Sequence, residues 1–105
     1  MSFDNITVVI NTFHSQDIIN ECLDSIDLNL KVIIIENSDN INFKADLENK
    51  YSNVNCYLTG DNLGYAKGNN LGISKVKTEY ALILNPDAKL RKDTIKNFLI
   101  TAKKI

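Results

Sequence analysis

Residues 80–87 read YALILNPD, and this stretch decides the predicted fold. Tyr80–Leu84 is a short, almost entirely apolar run, which is typical of a strand buried on both faces of a parallel sheet. Pro86 is the only proline of the chain, and it favours an extended conformation for Asn85 before it. The strand is therefore expected to end here, with Asp87 at the rim of the sheet.

The rest of the chain alternates strands of the same kind with helices. Short apolar runs predict three further strands, at residues 6–10, 31–35 and 54–58. Apolar side chains at helical spacing predict helices over residues 15–26, 43–51, 66–76 and 94–104, the first with Ser15 as its N-cap. Such alternation implies right-handed crossovers. The predicted fold class is α/β, a Rossmann-like and mostly parallel sheet of about four strands with flanking helices on both faces, in one domain over residues 1–105.

Composition and charge narrow the function classes. Hydrophobic residues make up 44% of the chain and charged residues 24%, as in an ordinary globular domain, and the formal net charge is −1. This balance argues against a nucleic-acid or anionic-membrane partner, and the lysines near the C-terminus are interpreted as a solvated helix face. No apolar stretch approaches the roughly 20 residues of a membrane span, and no export signal is recognised. We expect a cytoplasmic protein, with peripheral attachment at the inner face of the membrane left open.

The two cysteines, Cys22 and Cys56, are interpreted as reduced, buried residues rather than as a disulfide or a catalytic thiol. With one histidine and two cysteines, the chain cannot assemble a zinc site from soft ligands. His14, in the loop after the first strand, could reach a phosphate or a base, but a polar surface residue is the commoner explanation.

Polar clusters follow three of the four predicted strands: residues 11–12, 36–38 and 85–87. The carboxyl ends of parallel strands lie at one edge of a sheet, where open α/β folds bind their ligands. Each cluster alone is ordinary turn chemistry. A carboxylate after two separate buried strands, Glu36 and Asp87, favours a functional interpretation.

All four glycines lie in the segment GDNLGYAKGNNLG, between residues 60 and 72. Gly64, Gly68 and Gly72 are four residues apart, so on a helix they form one bare stripe. Each internal glycine costs a helix about 0.5–1 kcal/mol relative to alanine. The stripe therefore predicts a close approach of the backbone to another helix or a ligand, with a simple packing groove as the alternative. It is neither a GxGxxG fingerprint after the first strand nor a P-loop.

Taken in order, VVINTFHSQDIINECLDSI, IIIENS and DNLGYAKGNNLGISKVKTEYALILNPDAKL resemble the inverting family 2 glycosyltransferases of the GT-A fold. Among these the chain looks most like the rhamnosyltransferase-type members that build bacterial surface glycans. The resemblance covers nearly the whole chain, and the NLGYAKGNN and LILNPDA segments are its most specific part.

The resemblance implies a nucleotide-diphosphate-sugar site. Thr12 and Phe13 would border the nucleotide, although the family usually has tyrosine at the position of Phe13. Glu36 stands where the family's acidic residue, more often aspartate, bonds the base or ribose. The remaining positions implied for the nucleotide-sugar are Asn37, Ser38, Asn62, Gly64, Asn69 with its neighbour Asn70, and Asn85, with Lys67 as a weaker candidate beside a phosphate.

The same resemblance implies a metal-assisted transfer. Asn85, Pro86 and Asp87 match the family's metal-binding acidic motif, with asparagine replacing the first carboxylate, so Asp87 would be the ligand of a divalent cation, Mg²⁺ or Mn²⁺. A divalent cation can neutralise the charge that gathers on a diphosphate leaving group, and both metals prefer oxygen ligands.

An inverting transferase also needs a general base for the acceptor hydroxyl, and in this family that residue follows well after the NPD motif. The catalytic base is therefore expected beyond residue 105, and the chain is expected to bind the donor but to be inactive alone. The missing acceptor half would expose a sheet edge that favours self-association. Two alternatives remain: a non-catalytic nucleotide-binding or scaffold module with the same fold, and, with less support, a receiver- or flavodoxin-like domain.

Overall fold

The computed structural model describes residues 5–91 and 94, and its elements alternate as the sequence predicts. Its four strands are β1 (Ile6–Thr12), β2 (Lys31–Glu36), β3 (Val54–Leu58) and β4 (Tyr80–Leu84). Its three helices are α1 (Ile19–Asp24), α2 (Ile41–Lys50) and α3 (Gly64–Ser74). Except for Thr94, the helix predicted over residues 94–104 lies outside the described residues, as does most of its lysine-rich face.

All strand pairs are parallel, and the order across the sheet is β3-β2-β1-β4. In register, Thr12 of β1 pairs with Glu36 of β2, and Ile10 of β1 pairs with Leu84 of β4. The carboxyl ends of these three strands therefore lie at the same edge of the sheet. The structure confirms the predicted α/β class, and it confirms that the three polar clusters follow strands that end together.

The side chains of a strand alternate between two faces, and each face of this sheet has its own cover. On one face, Val8, Ile34 and Cys56 join a buried cluster with apolar residues of α1 and α2. The opposite face is covered by α3, whose Gly72 lies against Val9. Strands buried on both faces are continuously apolar, which explains why short apolar runs located β1 and β2 correctly.

The first helix starts later than predicted. Ser15 is not its N-cap, because α1 begins at Ile19 after a separate turn in which the Ser15 carbonyl accepts the N–H groups of Ile18 and Ile19. Ile18, which helical spacing placed on the buried face, is 44% exposed, since it precedes the helix. Both cysteines are free and buried, as predicted. In the part of the chain that the structure describes, no helix is long and apolar enough to cross a membrane.

Candidate functional site

The strand order reverses direction between β1 and β4. The chain moves from β1 to β2 to β3 on one side, and then α3 returns it across the sheet to place β4 on the other side of β1. Neighbouring strands at such a reversal send their following loops to opposite faces, which opens a crevice at their carboxyl ends. The residues after β1 and β4 therefore flank the place where this fold class binds ligands.

A group of mutually bonded polar side chains, which we call the polar rim, borders this crevice on the β1 and β2 side. Its members follow or end two adjacent strands: Asn11, Thr12, Glu36, Asn37 and Ser38. The Thr12 hydroxyl donates to Glu36 Oε1 at 2.6 Å, and the Ser38 hydroxyl donates to Glu36 Oε2. Glu36 is only 1% exposed, so both carboxylate oxygens are held inside the protein.

Asn37 joins the polar rim to the segment before α3. Its side-chain amide donates to Asn11 Oδ1 at 2.6 Å and to the Thr12 carbonyl at 2.9 Å. Its Oδ1 accepts the backbone N–H of Leu63 at 2.9 Å. One buried amide thus holds together β1, β2 and the start of α3, a role that uses both its donor and its acceptor groups.

The glycines of α3 allow the helix to lie directly on the sheet. A Cβ at Gly72 would lie 2.4 Å from Val9 Cγ1, and one at Gly68 would lie 2.1 Å from Asn11 Oδ1. Both separations are far below van der Waals contact. The close approach is therefore to the sheet, which corrects the expectation of a neighbouring helix or a ligand and supports the packing-groove alternative for these two positions.

Gly64 has a different reason to be glycine. Its φ is +83°, a left-handed conformation that costs residues with a Cβ about 1–2 kcal/mol, whereas the space that a Cβ would take is open. Asn62 Oδ1 accepts the Gly64 N–H at 3.1 Å, and Asn11 donates to the Gly64 carbonyl at 3.3 Å. The turn that starts α3 is thus fixed beside the polar rim.

Asn69 lies on the second turn of α3 and is buried. Its Oδ1 has no hydrogen-bond partner among residues 5–91 and 94. Most buried polar atoms in proteins are bonded, so an open acceptor at this place calls for a further donor.

The loop after β1 presents an aromatic pair. Phe13 is 47% exposed, and its ring centroid lies 4.1 Å from that of His14. His14 has a φ of 55°, which is unusual for a residue other than glycine. An exposed ring pair held on a tight loop can offer a face to a flat ligand, and this is the position at which the resemblance places the nucleotide.

The turn after β4, residues 85–88, is exposed at both of its predicted ligand positions, Asn85 and Asp87. The Ala88 N–H closes the turn by donating to the Asn85 carbonyl at 3.0 Å. We call residues 85–88 the β4 turn. Within the described residues, no hydrogen bond joins it to the polar rim.

Contacts with α1 hold the segment around the β4 turn in place. The Cys22 thiol of α1 lies 3.8 Å from the Asn85 carbonyl. Lys89 forms an ion pair with a glutamate of α1, and the Leu90 N–H donates to Ser25 Oγ, just after α1, at 2.9 Å. Burial, followed by the negative charge of Asp87, raises the pKa of Cys22 to about 11. The Asp87 carboxylate is therefore close enough to α1 for its charge to act on a buried thiol.

The β4 turn presents a carboxylate that is open to a cation. Asp87 has no hydrogen bond or ion pair with any residue in 5–91 and 94, and Asn85, two residues before it, is also exposed. Among those same residues, no three His, Cys, Asp or Glu side chains form a group that could hold a metal. Magnesium commonly takes one or two carboxylates and completes its coordination with phosphate oxygens and water, so a single free carboxylate suits a cation that arrives with a diphosphate.

Two residues at this edge were missed as site candidates by the sequence analysis. Asn11 was assigned only to a polar cluster, yet it bonds Asn37 and Gly64 and fills the space that Gly68 leaves free. The glycine at position 68 was the available signal. Tyr65 follows Gly64 at the start of α3, and its ring is 66% exposed.

Comparisons with known proteins show which family the chain is similar to. The family model described as Glycosyl transferase family 2 matches residues 7–104. The low-salt glycan biosynthesis hexosyltransferase Agl10 of Haloferax volcanii is 25% identical over 97 residues, which cover 89% of this chain and 31% of that protein.

Solved structures share the fold. A crystal structure of S. aureus TarS 1–349 matches with a TM-score of 0.77 at 19% identity, covering 95% of this chain and 32% of that one. A second TarS structure matches with a TM-score of 0.75 at 18% identity, covering 95% and 20%. The chain thus spans about a third or less of the length of the proteins it matches.

Proposed function

The chain belongs to glycosyl transferase family 2, and from this premise we propose that it binds the nucleotide-diphosphate sugar of an inverting glycosyl transfer. The process we propose is the synthesis of a bacterial surface glycan; the name of the Haloferax volcanii relative also refers to glycan biosynthesis. We further propose that residues 1–105 form the donor-binding domain of such an enzyme and that the acceptor is bound by other residues.

One observation carries this proposal: the polar rim and the β4 turn follow strands on either side of the reversal of strand order, where open α/β folds have their ligand crevice. The polar rim offers a rigid, uncharged surface fixed by its internal hydrogen bonds, and the β4 turn offers a free carboxylate. A nucleotide-diphosphate sugar needs both kinds of surface, because its nucleoside is neutral and its diphosphate is strongly negative. The two surfaces also lie on opposite sides of β1, so one extended ligand could contact both.

We propose each contact from the family resemblance and from the position of the residue in the fold. Phe13 would lie against the base, and Thr12, whose hydroxyl is committed to Glu36, would border the nucleotide through its remaining atoms. Glu36, Asn37 and Ser38 would keep the polar rim in shape. The α3 side would contribute the positions Asn62, Gly64 and Asn69, where the open acceptor of Asn69 could take a ribose hydroxyl after a small shift.

Asn85 and Asp87 would hold the divalent cation that family 2 members generally use. When bound, such a cation would neutralise part of the diphosphate charge in the leaving group. The contribution of this chain is to keep the Asp87 carboxylate exposed and unpaired at the edge of the sheet. We assign no catalytic base, and we propose that it lies outside these 105 residues.

Calorimetric titration of the chain with UDP-, dTDP- and GDP-sugars, with and without Mn²⁺, tests the proposal. We expect one nucleotide to bind in a metal-dependent manner. Asp87→Ala should weaken that binding by at least about 100-fold, since a metal-bridged diphosphate contact is worth several kcal/mol. Asp46→Ala removes an equally exposed carboxylate from α2 and should leave the affinity unchanged.

If none of the nucleotide-sugars binds to correctly folded protein, the scaffold alternative is favoured and our proposal is wrong. If binding survives Asp87→Ala undiminished, donor recognition stands but the metal assignment does not. The two results therefore separate the proposed ligand from the proposed cation site.

Two finer predictions accompany the proposal. We propose a cytoplasmic location, peripheral at the inner face of the membrane, which fractionation of cells producing the protein would test.

We also propose self-association through β4, which is an edge strand of the described sheet and is only half-buried along its length. Sedimentation equilibrium measures whether the chain is a monomer or a larger species.

A further inference from the structure

A second cleft lies at the opposite edge of the sheet from the candidate donor site. It has a volume of about 370 Å³ and is bordered by the amino ends of β1 and β2, the outer part of β3 and the segment that follows α3. Lys31 begins β2, while Lys75 and Lys77 follow α3, so three different positions of the fold bring lysines to one concavity. No carboxylate lines the cleft among the residues that the structure describes.

The three ammonium groups of this cleft are not neutralised by ion pairs. Within residues 5–91 and 94, the ion pairs involve Lys44 and Lys89 and none of the cleft lysines. Glu79 is close in sequence to Lys77, but its carboxylate accepts a hydrogen bond from Tyr80 and does not line the cleft. Lysines that line one cleft without a counter-charge repel one another. The cleft is therefore a local excess of positive charge in a chain whose net charge is −1.

Helix chemistry explains only part of this arrangement. Cations are favoured near the C-terminus of a helix, which accounts for Lys75 at the C-cap of α3. It does not account for Lys31, which lies on a strand. Lys75 is also held against an aromatic ring, because its Nζ lies 4.3 Å from the ring centroid of Tyr57. This contact limits the freedom of one ammonium group and keeps it at the cleft wall.

We propose that this cleft binds a phosphate group, as the phosphate ester of a small molecule or of a lipid headgroup. Three lysines supply the charge, and Asn55 lines the same cleft with a side-chain amide that can donate to a phosphate oxygen. The site is separate from the donor crevice, since Lys31 is at the start of β2 and Glu36 is at its end. The proposal therefore does not depend on the proposed function.

Titration with inorganic pyrophosphate, followed by amide NMR in the presence of EDTA, tests the cleft. Without a divalent cation, binding at Asp87 is suppressed. We expect saturable shifts at Lys31, Lys75 and Thr78, and binding that weakens as ionic strength rises. The double variant Lys31→Gln, Lys75→Gln should raise the Kd at least about tenfold, since it removes two of the three charges.

Lys50→Gln is the matched control, since Lys50 is also an exposed lysine beside a tyrosine ring, at 5.4 Å from the ring of Tyr51, but lies on α2. It should leave the Kd unchanged. A control that loses as much affinity for each charge removed as the double variant would show attraction by overall charge alone and would overturn the proposal. An absence of saturation by about 10 mM pyrophosphate would exclude a soluble phosphate ester as the ligand, because such affinity is too weak for a site.

Vesicle sedimentation distinguishes the two sources of phosphate. Phosphatidylcholine vesicles with and without phosphatidylglycerol are mixed with the wild-type chain and with the double variant. Binding to the anionic vesicles that the double variant loses identifies a headgroup site, whereas pyrophosphate binding without vesicle binding identifies a soluble phosphate ester. Either result supports the proposal, and failure of both probes overturns it.

Discussion

The polar rim and the β4 turn lie at the same edge of one sheet, yet they satisfy their polar groups in opposite ways. In the polar rim, Glu36 and Asn37 are almost completely buried and bond to neighbouring side chains and backbone. In the β4 turn, Asn85 and Asp87 are exposed, and the carboxylate of Asp87 has no partner in the described part of the chain.

This difference follows from position in the sheet. The polar rim lies at the ends of two paired strands and is mostly buried, so an unbonded polar group there would cost about 1–3 kcal/mol. The β4 turn follows a strand with only one neighbour in the described sheet, and water can solvate its side chains. A site built in this way combines a rigid surface that gives shape with free oxygen ligands that can bind a cation.

The largest effect on stability is expected from Gly72→Ala, which tests how closely α3 packs against β1 and β2. The added Cβ would meet Val9 Cγ1 at 2.4 Å and Ile35 Cγ1 at 3.2 Å, both in the packed interior of the sheet. We expect the free energy of unfolding to fall by about 2–3 kcal/mol in urea denaturation, because overpacking outweighs the better helix propensity of alanine.

Gly68→Ala is the informative comparison for that prediction. Its Cβ would meet the side-chain amide of Asn11, which can rotate, rather than a packed aliphatic group. A smaller loss than for Gly72→Ala is expected, together with a disturbed polar rim. If Gly72→Ala is instead neutral or stabilising, α3 does not pack against the sheet as closely as described.

The comparison between the two sides is tested directly by Asn37→Ala and Asn85→Ala. Removal of the buried Asn37 amide leaves Asn11 Oδ1 and the Leu63 N–H without their partner, which should cost about 2 kcal/mol of unfolding free energy. Asn85 is exposed, so its truncation should change stability by less than about 0.5 kcal/mol. Equal losses of unfolding free energy in chemical denaturation would mean that the polar rim and the β4 turn do not differ in how their asparagines contribute to stability.

The fold could be predicted from the sequence because each strand of this sheet is a short run of mainly apolar residues, whether it is buried on both faces, as in β1 and β2, or on one, as in β3. Val54–Leu58 and Tyr80–Leu84 were located to the residue, and the other two strands only gained residues at their carboxyl ends. Helix starts were harder, since the turn before Ile19 uses the Ser15 carbonyl rather than a side-chain cap, and backbone bonds of this kind leave no clear pattern in sequence.

The sequence predicted where the candidate site lies but not which of its side chains bond one another. Parallel strands force the clusters after β1, β2 and β4 to one edge, so the convergence follows from topology alone. The sequence could not show that Glu36 would bond Thr12 and Ser38, because hydrogen-bond partners depend on side-chain direction and on the register of adjacent strands. The glycine stripe was ambiguous for a similar reason: a missing Cβ indicates a close approach without naming the neighbour.

The smallest expected effect is electrostatic, and it tests whether the β4 turn faces α1. Burial raises the pKa of Cys22 to about 11, and the charge of Asp87 adds to that increase because a nearby anion disfavours the thiolate. Asp87→Asn removes the charge, so the pKa of Cys22 should fall, while burial keeps it above the ordinary value of 9.0. The measurement is the pH dependence of the Cys22 Cβ resonance in cysteine-labelled protein.

Cys56 is the internal control for this titration. Burial, followed by charges that include Lys44, Glu48 and Glu36 but not Asp87, sets its pKa at about 12, so Asp87→Asn should leave it unchanged. A shift of both cysteines would reveal a general loosening of the fold instead of a local charge effect. An unchanged Cys22 would mean that the carboxylate points away from α1, and the free oxygen ligand of the β4 turn would then have to serve a different part of the crevice.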